Sequence, residues 1–179
     1  MEGHYFDIET YSPEEKPDPK TDKIITIQFQ KINLKTGEPK GRLQILKEWE
    51  EGEEAIVKFL HKWFFERNVW NFIPVGFNLN FEWKFLAYKF KQYGIDDTCI
   101  KDICENYPQI DLKVFAVLKQ GSFIGASLSS ISDKKDDGHV IKEFYEKKEY
   151  DKIIDYVEDE TKSFLKLYKN ISENVDNLV

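Results

Sequence analysis

The sequence predicts an α/β fold, a mixed sheet flanked by helices, on three observations. Residues 4–10 (HYFDIET) and 23–33 (KIITIQFQKIN) have the alternation and the β-branched and aromatic content of strands. Residues 51–68, 81–93 and 150–169 repeat apolar side chains at three and four, the period of a helix that buries one face. The two kinds of segment interleave along the chain, which places helices on the faces of one sheet.

A chain of 179 residues is long enough for one core, and a single domain over 1–179 is expected. The net charge of -7 excludes a protein that coats nucleic acid by bulk attraction. It leaves room for an enzyme that meets phosphates through bound cations. Cys99 and Cys104 lack the spacing of a zinc knuckle, so a reduced, intracellular, cytoplasmic protein is expected. No signal peptide and no apolar stretch of membrane-spanning length is present, so no membrane partner is expected.

Each element has a local reason. Residues 11–22 carry three prolines and many charges and read as a loop. Ile25, Ile27 and Phe29 alternate onto one face of the second strand, and a Thr36-Gly37 turn leads to a partner strand over residues 42–49. In the helix over 51–68, Ala55, Ile56, Phe59, Leu60, Trp63 and Phe64 form the stripe and acids fill the first turn. Residues 71–77 (NFIPVGF) read as a buried strand, parallel to its neighbour because it follows a crossover helix. The helix over 81–93 ends at Gly94, suited to a left-handed cap. Residues 96–107 give no clear signal. Residues 109–112 read as a last strand running into a helix through Gln120, with an N-cap at Ser127 further on. The last helix, 150–169, buries Ile153, Ile154, Val157, Phe164, Leu165 and Tyr168.

Period two in the first strand puts Asp7 and Glu9 side by side on one face. Like charges on an apolar strand oppose each other's ionisation unless a divalent cation neutralises them. Alone, such a pair is also what an acidic edge strand presents. Two other segments supply acids. Glu82 (GFNLNFEWKFL) opens a helix just after a buried strand, where the helix dipole favours a carboxylate. Tyr156 and Glu160 (DYVEDETKSFLKLY) lie one helical turn apart and share a face.

These three segments resemble the motifs of the DEDD superfamily of 3′-5′ exonucleases, which have a ribonuclease H-like fold. FDIET is similar to the first motif, GFNLNFEWKFL to the second and YVEDETKSFLKLY to the third of the tyrosine-bearing subclass, found in polymerase proofreading domains. The resemblance implies a two-metal 3′-5′ exonuclease using Mg²⁺ or Mn²⁺, with single-stranded DNA as substrate and a separate polymerase or repair partner. By resemblance Asp7, Glu9, Glu82 and Glu160 are the catalytic metal ligands. Asp7 would bridge two ions, Glu9 and Glu160 would complete the first, and Glu82 would hold the second. Tyr156 would be a catalytic residue orienting the attacking water. The chain departs from the family in having Glu82 and Glu160 where the motifs have Asp, and Asp159 is an alternative to Glu160.

Two other functions compete: a structure-specific endonuclease, and a catalytically weakened module of the same fold that binds nucleic acid or a protein. Among other polar residues, Asp111 (QIDL) reads as a helix cap, His139 as a loop residue and His61 as exposed. The glycines of residues 119–127 (KQGSFIGAS) read as a turn.

Overall fold

The computed structural model describes residues 1–14, 16–65, 68–132 and 139–175. Among them β1 (Gly3–Tyr11), β2 (Lys23–Ile32) and β3 (Gln44–Lys47) form an antiparallel ribbon. β4 (Ile73–Gly76) runs parallel to β1, and β5 (Ile110–Asp111) parallel to β4, giving the sheet order β3-β2-β1-β4-β5. The mixed α/β sheet is the one expected. Gly76 allows the close approach of β4 to β1, since a Cβ there would meet the Phe6 carbonyl oxygen at 2.7 Å.

The helices are α1 (Glu48–Glu51), α2 (Glu53–Phe64), α3 (Leu79–Gln92), α4 (Ile100–Asn106), α5 (Lys113–Gln120), α6 (His139–Glu146) and α7 (Tyr150–Asn174). Phe6, Ile8, Ile27 and Phe29 pack against Ile56, Leu60 and Phe64 of α2 and Trp83, Phe85 and Leu86 of α3. Tyr5 and Val75 point the other way, onto Phe164 and Tyr168 of α7. Helices therefore cover both faces, as the alternation along β1 requires. No helix of the described residues is long and apolar enough to cross a membrane.

Several boundaries differ from the sequence reading. The third strand is only Gln44–Lys47, and Trp49 lies in α1, where its ring stacks on Tyr150 at 4.6 Å. The helix expected over 51–68 is α2, interrupted before its start by Gly52 at φ 87°; residues 66 and 67 lie outside the described set. Ile25 does not join Ile27 and Phe29. The β1–β2 register shifts between Glu9 and Thr10, and this bulge turns Ile25 onto Ile141, Ile153 and Val157 on the opposite side. α4 and α6 were not anticipated. Each is short, seven and eight residues, too short for helical periodicity to speak clearly. His139 accordingly begins α6 instead of lying in a loop.

Candidate active site

β1 carries Asp7 and Glu9 toward α7, on the same face as Tyr5. From α7, Ile153, Val157, Thr161, Phe164 and Tyr168 are buried against the sheet. Glu160 lies one turn before Phe164, so seating that stripe delivers its carboxylate to the strand. Asp7, Glu9 and Glu160 each offer an oxygen within 4.8 Å of the others. Three half-buried carboxylates so close together are the donor set that hard divalent cations take.

Asp159 does not take that place. Its side chain is 78% exposed and pairs with Lys162 at 2.9 Å. The extra methylene of Glu160 thus does not keep its carboxylate from the cluster.

Glu82 is the fourth acid, in the first turn of α3, and it is only 3% exposed. Burial, and next the Asp7 carboxylate beside it, push its pKa well above the usual carboxylate range. Glu82 Oε2 has no hydrogen-bond partner among the described residues. An orphaned, buried carboxylate oxygen next to a second carboxylate is costly, and a divalent cation would satisfy both. The residues present therefore fit a metal site.

Tyr156 stands close enough to Glu9 and Glu160 to feel both charges. Burial, then the charges of Glu9 and Glu160, raise its pKa far above that of a free phenol. The hydroxyl stays a donor at any physiological pH.

Asp111 acts as the cap its position suggested. Its carboxylate accepts from the backbone N–H groups of Asn78 at 2.8 Å, Leu79 at 2.9 Å and Lys113 at 2.9 Å, holding the start of both α3 and α5. Asn78 takes a left-handed conformation, φ 67°, at the turn from β4 into α3, and its side-chain oxygen accepts from Lys113 Nζ at 2.9 Å. His61, expected to be exposed, instead sits 3.0 Å from Asp96 and stacks on Phe65. Its partner comes from a segment without a sequence signal. Cys99 and Cys104 are both free thiols.

Sequence reasoning missed Gln28 and Thr26 on β2. Gln28 lies opposite Asp7 in the ladder, and its amide donates to Asp7 Oδ2 at 3.1 Å. The available signal was weak: Thr26, Gln28 and Gln30 alternate along the strand as the outward polar residues of any half-exposed strand would.

No protein-family model and no curated protein matches this sequence. Solved structures do match. The family B DNA polymerase from the hyperthermophilic archaeon Pyrobaculum calidifontis superposes with a TM-score of 0.68 at 16% identity, over 96% of this chain and 24% of the polymerase chain. An exonuclease I, solved in complex with the inhibitor BCBP, superposes with a TM-score of 0.51 at 12% identity, over 69% of this chain and 31% of its own. The chain thus spans less than a third of the length of either. At such identities the likeness is one of fold: the chain has a ribonuclease H-like α/β fold, similar to folds within a DNA polymerase and an exonuclease.

Proposed function

We propose that this chain is a single-domain, metal-dependent 3′-5′ exonuclease of the tyrosine-bearing DEDD subclass, acting on single-stranded DNA. One observation carries the reading: Asp7 and Glu9 from the first strand meet Glu160 from the last helix, within 4.8 Å, beside the buried Glu82. Carboxylates brought this close from elements far apart in the chain repel one another unless a cation joins them.

Asp7, Glu9 and Glu160 would hold one Mg²⁺ or Mn²⁺ ion, and Asp7 with Glu82 a second. Such ions, when bound, supply an activated water and neutralise charge on the attacking and leaving oxygens of a phosphodiester. The chain's own groups do the rest. Tyr156 keeps its proton, so it positions the water by donating or accepting a hydrogen bond and does not serve as the base. Glu160, one helical turn on, lies beside the phenol. Asp111 clamps the start of α3 and so sets where Glu82 stands.

Degradation of 5′-labelled single-stranded DNA with Mn²⁺, parent against D7A, tests the proposal. The expected result is a ladder of shortening labelled products that D7A abolishes, with circular DNA left uncut. Cleavage of the circle would assign an endonuclease instead. No cleavage, with DNA still retained by the protein, would favour a binding module that kept the fold while Glu replaced two of the motif aspartates.

A further inference from the structure

Asp7 is held from beneath by a buried chain of neutral groups. Across the β1–β2 ladder Asp7 pairs with Gln28 and Glu9 with Thr26, so two polar residues of β2 face the two acids of β1. The Gln28 amide Nε2–H donates to Asp7 Oδ2 at 3.1 Å, and the Tyr5 hydroxyl donates to the same oxygen at 3.3 Å. The Thr26 hydroxyl donates to Gln28 Oε1 at 2.9 Å. The Asp7 carboxylate, which only accepts, decides which end of the amide points where, and the Thr26 hydroxyl then anchors the amide oxygen at the other end. Thr26 and Gln28 are both fully buried, and Tyr5 is nearly so.

A primary amide is an expensive group to bury completely, and Gln28 is fully buried. Methionine would fill the same volume without that cost. The amide is retained at the one position on β2 that lies opposite Asp7. Uncharged donors below a carboxylate do not compete with a cation for it. They restrict its rotation, so less ordering remains when a cation binds.

We propose that Gln28, oriented by Thr26, is a positioning residue that holds the Asp7 carboxylate in the conformation a divalent cation requires. The proposal rests on the reading that Asp7, Glu9 and Glu160 bind such a cation, and it adds two residues outside the three motifs to that site. It makes Thr26, which touches no acid through the bonds described above, a determinant of metal affinity at one remove.

The test is Mn²⁺ titration of the full chain, followed by the electron paramagnetic resonance of free Mn²⁺, for the parent, Q28M, T26V, T26S and D7A, with metal-free thermal melts alongside. Q28M is expected to bind Mn²⁺ about tenfold more weakly than the parent, while its metal-free melting temperature is unchanged or higher. T26V is expected to weaken binding by a smaller factor, and T26S, which keeps the hydroxyl, to bind as the parent does. The proposal is overturned if Q28M and T26V bind Mn²⁺ as tightly as the parent. A purely structural role would show the reverse pattern, lower melting temperature and parental affinity. If Q28M fails to fold, the contrast between T26V and T26S decides. Failure of the underlying reading is distinguishable: there the parent itself would not bind Mn²⁺, or D7A would bind it equally well, and this inference would fall with it.

Discussion

The Asp111 carboxylate, at the end of β5, accepts the Leu79 backbone N–H at 2.9 Å and so fastens the last strand to the first turn of the helix that carries Glu82. With the Asn78 and Lys113 N–H groups on the same carboxylate, three donors that two helix starts would leave open are satisfied by one side chain. Replacing it by alanine strands all three. D111A is expected to lose about 2 kcal/mol of stability, at the upper end for a capping residue. Urea denaturation measures this. Mn²⁺ affinity should fall as well, since the position of Glu82 depends on the same turn; parental affinity in D111A would show that α3 is seated without it.

Glu82 is a buried acid set beside another carboxylate. Its buried carboxylate beside Asp7 costs free energy in the metal-free protein. E82Q keeps the shape without an ionisable carboxyl. The metal-free melting temperature should therefore be unchanged or raised, while the gain on adding Mn²⁺ should shrink. For a ligand at a hundredfold excess over its Kd that gain is about 2.7 kcal/mol in a protein that binds it well. Thermal melts of both proteins with and without Mn²⁺ check the pair of outcomes.

His4 confers a pH dependence away from the acids. It is buried between Phe72, stacked at 4.6 Å, and Trp63, and burial lowers its pKa below the ordinary histidine value. In the unfolded chain it titrates near 6.5. Between the folded and unfolded pKa values the unfolded chain binds more protons, so stability falls as pH falls. The contribution of His4 is fully present above the unfolded pKa and is lost as pH drops through and below it. The slope cannot exceed about 1.4 kcal/mol per pH unit for one group. H4F, which keeps a ring on Phe72, should flatten this part of the curve in denaturation midpoints taken between about pH 7 and 5.

A buried ion pair ties the loop after β1 to α2 and α3. Lys89 Nζ lies 3.1 Å from Glu53 and donates to the Asp22 carbonyl oxygen at 2.7 Å. Glu53 also accepts from the Ile24 N–H at 2.7 Å and the Tyr93 hydroxyl at 2.6 Å. K89M leaves Glu53 buried without its cation and is expected to cost about 3 kcal/mol. The double variant K89M/E53Q should recover part of the loss. Additive losses in urea denaturation would contradict coupling between the two side chains.

What could be read from the sequence was what short-range geometry settles. Strand period two set Asp7 and Glu9 on one face, and one helical turn set Tyr156 beside Glu160, because both relationships follow from backbone repeats of a few residues. The long helices α3 and α7 announced themselves through stripes that had turns enough to repeat. The short α4 and α6 did not, and the single-residue bulge that turned Ile25 away from Ile27 has no pattern to betray it.

The choice between Asp159 and Glu160 belonged to the tertiary structure. Adjacent residues on a helix point about 100° apart, and only the seating of Val157, Thr161 and Phe164 on the sheet decides which one reaches β1. The same holds for Glu82, whose burial against Asp7 depends on the turn after β4, and for Gln28, which meets Asp7 only through the register of two strands. By itself the sequence determined which acids were available and which of them were neighbours along an element. Only packing determined which of them share one point in space, because that depends on contacts between residues far apart in the chain.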